Sequence, residues 1–276
     1  MKKQSPFPAK AGSRLRRENY TFAVGRVRAL EKFLLKQEVF EEALESSLNE
    51  ALRLFAETVY SDEILHVKNS QQLEAILDEE LRNLKKLVTD LILDKKFLCL
   101  LELGNLRDIC ELCKIHESPF LKDYLMYLID MHNIKSFLRL YILNQPQAEL
   151  DKILTCEGFI KKKDLLSLYP QDLTAFLNRM EYVHQDNRTI DYTYYLGGAI
   201  QRTVKEKSFI YLEKAINDFL IRVLKPAKYI VFGPEPILAF YFAKLNEINL
   251  MRMIILGKLN NVPTELVKER LNSVYA

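Results

Sequence analysis

The sequence predicts an all-α protein, and three observations carry that expectation. Gly (8) and Pro (9) are scarce for 276 residues, which disfavours a turn-rich β protein and an α/β protein built on phosphate loops. Apolar residues make up 49% of the chain, enough for a large core in one or two domains. Apolar positions also recur with helical period in three long stretches.

The chain opens with the basic segment MKKQSPFPAKAGSRLRRENY, which lacks the apolar run of a signal peptide. The first helical stripe runs Phe40, Ala43, Leu44, Leu48, Ala51, Leu52, Phe55. The second runs from Leu73 through Leu77, Leu84 and Val88 to Ile92, about five turns. Ser118-Pro119 reads as a helix start, with Ser118 at the N-cap and Pro119 in the first turn. Asn144-Gln145-Pro146 ends that helix, and Tyr169-Pro170 and Gln185 to Arg188 mark further boundaries. The third stripe runs from Phe209 through Leu212, Ile216, Phe219 and Leu220 to Leu224. Only Tyr229 to Phe232 reads locally like a strand. Gly233-Pro234 follows at once, so a helix-to-turn connection is expected there.

The longest apolar run, Ile237 to Ala243, is too short to span a bilayer. Net charge is +3 but unevenly spread. Residues 1–36 carry ten Lys/Arg against two Asp/Glu, residues 37–130 ten against twenty, and residues 131–276 twenty against fifteen. Such asymmetry predicts polar docking faces more than a nucleic-acid protein. The cations Lys2, Lys3, Lys10, Arg14, Arg16 and Arg17 lack interleaved aromatics and read as a solvated arm or one docked on an acidic partner.

Catalytic and cofactor motifs are not found. Gly257-Lys258 is followed by Leu259, so the P-loop pattern fails, and there is no nucleophile elbow, dinucleotide fingerprint or His-Glu-x-x-His. Cys110-x-x-Cys113-x-x-His116, with Cys99 upstream, offers a zinc set. Its cysteines fall on the apolar face of a helical pattern, which favours core packing over metal. The four cysteines do not suggest a secreted disulfide framework. Asp130, Asn133 and Arg139 on one helix, and Asn246, Glu247 and Arg252 on another, are polar groups among apolar neighbours. Because a buried charge is costly unless paired, these residues are expected to make contacts that fix helix packing. The arginines Arg26, Arg139 and Arg252 are equally spaced along the chain. With the apolar residues before each, they suggest internal repeats centred near 20–36, 124–143 and 237–256 within a single all-α domain over 1–276. Three full units would overrun the chain, so one or both terminal units would be incomplete.

Four segments in order resemble the C-subunit family of the V/A-type rotary ATPases, whose eukaryotic vacuolar counterpart is the d subunit. They are Tyr20 to Glu31, with Arg26 and Arg28; Asp130-x-x-Asn133-Ile134-Lys135-x-x-Leu138-Arg139; Leu212-Glu213-Lys214-x-x-x-Asp218; and Gly233-Pro234-Glu235-Pro236 through Asn246, Glu247, Arg252 and Lys258 to Asn260. The resemblance implies three helical wedges closed into a pseudo-threefold funnel. It implies a non-catalytic central-stalk protein without cofactor or metal, carrying torque between the shaft of the catalytic head and the membrane proteolipid ring. Its partners would be those two assemblies, with no nucleic acid and no small-molecule substrate, at the cytoplasmic face of a membrane. The chain looks short for that family. The rival readings are a generic α-helical scaffold and a nucleic-acid-binding protein using the basic arm.

Overall fold

The computed structural model describes residues 16–56, 62–102, 109–111, 113, 118–169, 172–185 and 188–276. The basic stretch through Lys2, Lys3, Lys10 and Arg14, and His116 of the cysteine-histidine pattern, lie outside those residues. The architecture is all-α, as the composition and periodicity predict. In chain order the helices are α1 (Thr21–Glu31), α2 (Gln37–Glu45), α3 (Leu48–Ala56), α4 (Ser70–Leu91), α5 (Pro119–Ile142), α6 (Gln147–Ile153), α7 (Lys162–Leu168), α8 (Leu173–Glu181), α9 (Tyr192–Glu206), α10 (Ile210–Leu224), α11 (Glu235–Leu259) and α12 (Thr264–Lys268).

Local chemistry sets the boundaries. Ser118 caps α5 through Leu121 N–H, with Pro119 in the first turn. Asn69, Asp172 and Asp191 cap α4, α8 and α9 in the same way. α5 and α11 end alike. Asn144 and Asn261 adopt left-handed backbone (φ 49° and 51°), and the next N–H returns to Leu140 or Gly257 C=O, closing the last turn. A proline follows each, at 146 and 263.

Two expectations need correction. The stripe from Phe40 to Phe55 is not one helix. Ser46 is extended (ψ 173°), and Ser47 and Glu50 form a reciprocal capping box that starts α3. The apolar period survives because both helices lay their stripes on the same core. The second difference is a short antiparallel hairpin, β1 (Val183–Gln185) with β2 (Arg188–Ile190), at a position read only as a boundary. Three-residue strands are too short to show a period of two. Tyr229 to Phe232 forms no strand; a 3-10 turn at Lys225–Tyr229 leads into an exposed extended link.

The buried side chains form two clusters. One joins both ends of the chain: α1 to α4, the start of α5, the end of α10 with Ala227, α11, and Val267 to Tyr275. The other is contained within 126–219, from α5 to α10. Each is organised around one long helix, α5 or α11, and α11 is buried on nearly every side.

Candidate functional site

The polar residues of the two long helices are fixed by named partners. At the start of α11, Glu235 is 1% exposed. Arg17 reaches it with two nitrogens, at 2.7 and 3.0 Å, and the Ser118 hydroxyl donates at 2.6 Å. The helix N-terminus adds favourable potential for the carboxylate. Arg17 also donates to Phe232 C=O at 2.7 Å. One carboxylate thus gathers the N-terminal segment, the cap of α5 and the entry to α11. Gly233 makes this possible: its φ is +111°, and a Cβ there would lie 2.3 Å from Glu235 Oε2.

On α5, Asp130 is fully buried. It accepts from Phe159 N–H (3.0 Å), Ile160 N–H (3.1 Å) and Tyr192 O–H (2.6 Å). Burial pushes its carboxyl up to about 7, against the lowering effect of those three donors and of Lys161. The Tyr192 phenol is raised too, by burial and then by the Asp130 charge. Asn133 Nδ2 donates to Cys156 C=O at 3.0 Å. On α11, Glu247 accepts from Lys244 Nζ (2.9 Å) and Leu35 N–H (3.3 Å). Asn246 Nδ2 donates to Ser273 C=O at 3.1 Å. In both cases a buried acid holds the segment leading into a short helix: α7 with Lys161 at its N-cap, and α2 with Lys36 at its N-cap.

Between α10 and α11 lies a cleft of about 370 Å3. Its polar wall holds Glu213, Lys214, Asn217, Asn246, Asn249, Arg270 and Asn272. Asn272 Nδ2 donates to Asn246 Oδ1 at 2.8 Å. Ser273 donates N–H and O–H to Asp218, which also accepts from Lys214 at 3.0 Å. Amides and charges of both signs suit hydrogen bonding to a polypeptide.

The remaining motif residues are more peripheral. Arg28 makes two bonds to Glu31 and donates to Ala227 and Ile230 C=O, tying α1 to the turn before α11. Arg252 pairs with Glu74 of α4 at 2.9 Å and donates to Asn249. Lys258 Nζ donates to the carbonyls of Leu44, at 2.8 Å, and Ser46 at the end of α2. Glu213 is exposed and lies 3.5 Å from Lys135. Arg26 is exposed, and Arg139 is exposed with its guanidinium 5.6 Å from the Phe209 ring centre. Arg139 thus meets another element through a ring contact at the start of α10, whereas Arg252 makes an inter-helix ion pair. Cys110 is buried as expected, but it is joined to Cys156 in a disulfide that sequence spacing did not suggest. Among the described residues, no group of three or more His, Cys, Asp or Glu side chains is placed to hold a metal ion. Sequence reasoning also missed Arg17 and Tyr192 as partners, because each lies far along the chain from the acid it serves.

These features define an all-helical protein whose two long core helices each carry a clamped acid. Residues 95–270 match the family model described as ATP synthase (C/AC39) subunit, and the chain belongs to that family, the C subunits of V/A-type ATPases. It is 29% identical over 157 residues to the C subunit of the V-type sodium ATPase of Enterococcus hirae, covering 57% of this chain and 45% of that one. It is 26% identical over 234 residues to the C subunit of the A-type ATP synthase of Methanocaldococcus jannaschii, covering 82% and 55%. The chain spans about half the length of these curated relatives. The family match includes Asp130, Asn133, Arg139, Glu213, Glu235, Asn246, Glu247, Arg252 and Lys258. Arg26 and Arg28 precede it.

Proposed function

We propose that this chain is a non-catalytic rotor component of a V/A-type ATPase. In this reading it joins the central shaft of the catalytic head to the proteolipid ring and carries torque between them at the cytoplasmic face of the membrane. The family match over residues 95–270 is the observation that carries this reading. Two physical features support it. Among the described residues, no helix is long and apolar enough to cross a membrane. The clamped acids of α5 and α11 join elements distant in sequence, as a part that transmits force requires. In the same reading the α10–α11 cleft receives the shaft, and the helical units take their place in a pseudo-threefold funnel.

The test is co-purification of the tagged chain from its native membranes in mild detergent, with partners identified by mass spectrometry. Recovery of shaft proteins together with the ring is expected. Recovery of the chain alone, or with nucleic acid, would overturn the rotor role. A substitution in the cleft wall, Asn249→Arg, is expected to reduce shaft recovery while leaving helix content unchanged. Full shaft recovery by that variant would remove the cleft from the interface.

A further inference from the structure

A second cleft, of about 780 Å3, lies between α5 and the segment linking α6 to α7. Three cysteines line it, Cys110, Cys113 and Cys156, together with Lys122 and Lys161. Cys110 and Cys156 form a disulfide, with Cα atoms 6.1 Å apart, inside the range such bonds occupy. Cys110 is buried and Cys156 is half-buried, so the bond is reached from the cleft on the Cys156 side. Glu111 and Glu157 line the cleft as well, so both signs of charge stand beside its cysteines.

The bridge has a defined mechanical position. Cys156 C=O accepts from Asn133, and three residues later the chain offers Phe159 and Ile160 N–H to Asp130. Gly158, between them, lies so close to α5 that a Cβ would sit 2.3 Å from Asp130 Oδ1. The same segment is therefore held to α5 by polar contacts and to Cys110 by a covalent bond. Phe159 and Ile160 belong to the 126–219 core, and Cys113 packs against both cores. Cys113 lines the same cleft as the bond.

We propose that Cys110 and Cys156 form a reversible thiol–disulfide site, opened and closed through this cleft by low-molecular-weight thiols and disulfides. In closing, the Cys156 thiolate attacks one sulfur of a small disulfide RSSR, releasing RS⁻ and leaving Cys156–S–S–R. The Cys110 thiolate then attacks the Cys156 sulfur and expels the second RS⁻. Two protein thiols are oxidised and RSSR is reduced to two RSH, the two protons passing from the cysteines to the released thiolates. Opening is the reverse, with two small thiols as reductant. Sulfurs facing a solvent-filled cleft exchange with such a pool, whereas a sealed, relaxed bond resists it. This site is independent of the rotor reading.

The test equilibrates the folded full chain in glutathione buffers from mostly reduced to mostly oxidised. Samples are acid-quenched, denatured and alkylated, and their peptides mapped. Expected is one two-electron transition, with the Cys110 and Cys156 peptides linked at the oxidised end and both cysteines alkylated at the reduced end. Hydrogen exchange at Phe159 and Ile160 should quicken roughly tenfold on reduction, because the segment loses its covalent constraint. Cys156→Ser should abolish the transition and show the faster exchange in every buffer, with its fold checked by circular dichroism. Three results would overturn the proposal: both cysteines alkylated at every ratio, a linkage through Cys113 instead of Cys110, or a bond that opens only when the chain unfolds.

Discussion

Gly233 and Asp130 show how single residues set conditions for those around them. Gly233 holds a φ that a side chain would strain, at a point where any Cβ would press on the Glu235 carboxylate and the Arg17 guanidinium. Gly233→Ala is expected to destabilise the protein by about 1–3 kcal/mol, read as a shift in denaturation midpoint. A shift within error would show that the turn relaxes freely. Asp130 carries a pH signature. Its carboxyl titrates near 7 in the folded chain and near 3.8 when ordinary. Between those values the folded state binds the extra proton, so this group contributes stability at low pH that is lost as pH rises through 7. The wild type should therefore lose on the order of 2–4 kcal/mol between pH 4 and 8 relative to Asp130→Asn. Denaturation curves of both proteins across that range decide it; a difference growing in the opposite direction would refute the assignment. That Asp130 must find partners was legible from its place in an apolar stripe. That one partner is Tyr192 was not, since nothing local to Tyr192 marks it.

At the level of helices, periodicity located most of what the chain forms, and short capping patterns decided where it stops. Ser118-Pro119 and Asn144-Gln145-Pro146 bounded α5 correctly because cap and left-handed turn chemistry is written in adjacent residues. The Ser46-Ser47 break escaped notice because the apolar period continues across it while only the capping box interrupts the backbone. Ser47→Ala is expected to cost about 1 kcal/mol through loss of that box, measured by urea denaturation; an unchanged midpoint would mean the tertiary stripe alone sets the break. Lys258 belongs to the same scale. Its ammonium satisfies carbonyls at the C-terminal end of α2, where a helix favours a cation. Lys258→Met retains the length of the side chain and should cost about 1–2 kcal/mol, with the added exchange confined to α2. Loss spread evenly over both cores would show that Lys258 does something other than hold that helix end.

In the whole molecule the two cores differ in how they are assembled from the chain. The 126–219 core is contiguous in sequence, whereas the other is built from residues up to Leu125 and from Ile221 onwards. Glu235 with Arg17, Glu247 with Leu35, Lys258 with Leu44 and Arg252 with Glu74 all run between α11 and the N-terminal part. This arrangement was not readable from the repeat, because equal spacing of arginines says nothing about which end of the chain completes a unit. It has a consequence for synthesis. A ribosome delivers α1 to α4 long before α11, so their apolar faces wait for a partner while the middle core is made and can close first. The nascent chain thus passes through a stage in which a finished interior hangs from an unfinished one. A chaperone that covers amphipathic helices would find its longest occupancy during that stage, and would be displaced when the last long helix leaves the exit tunnel.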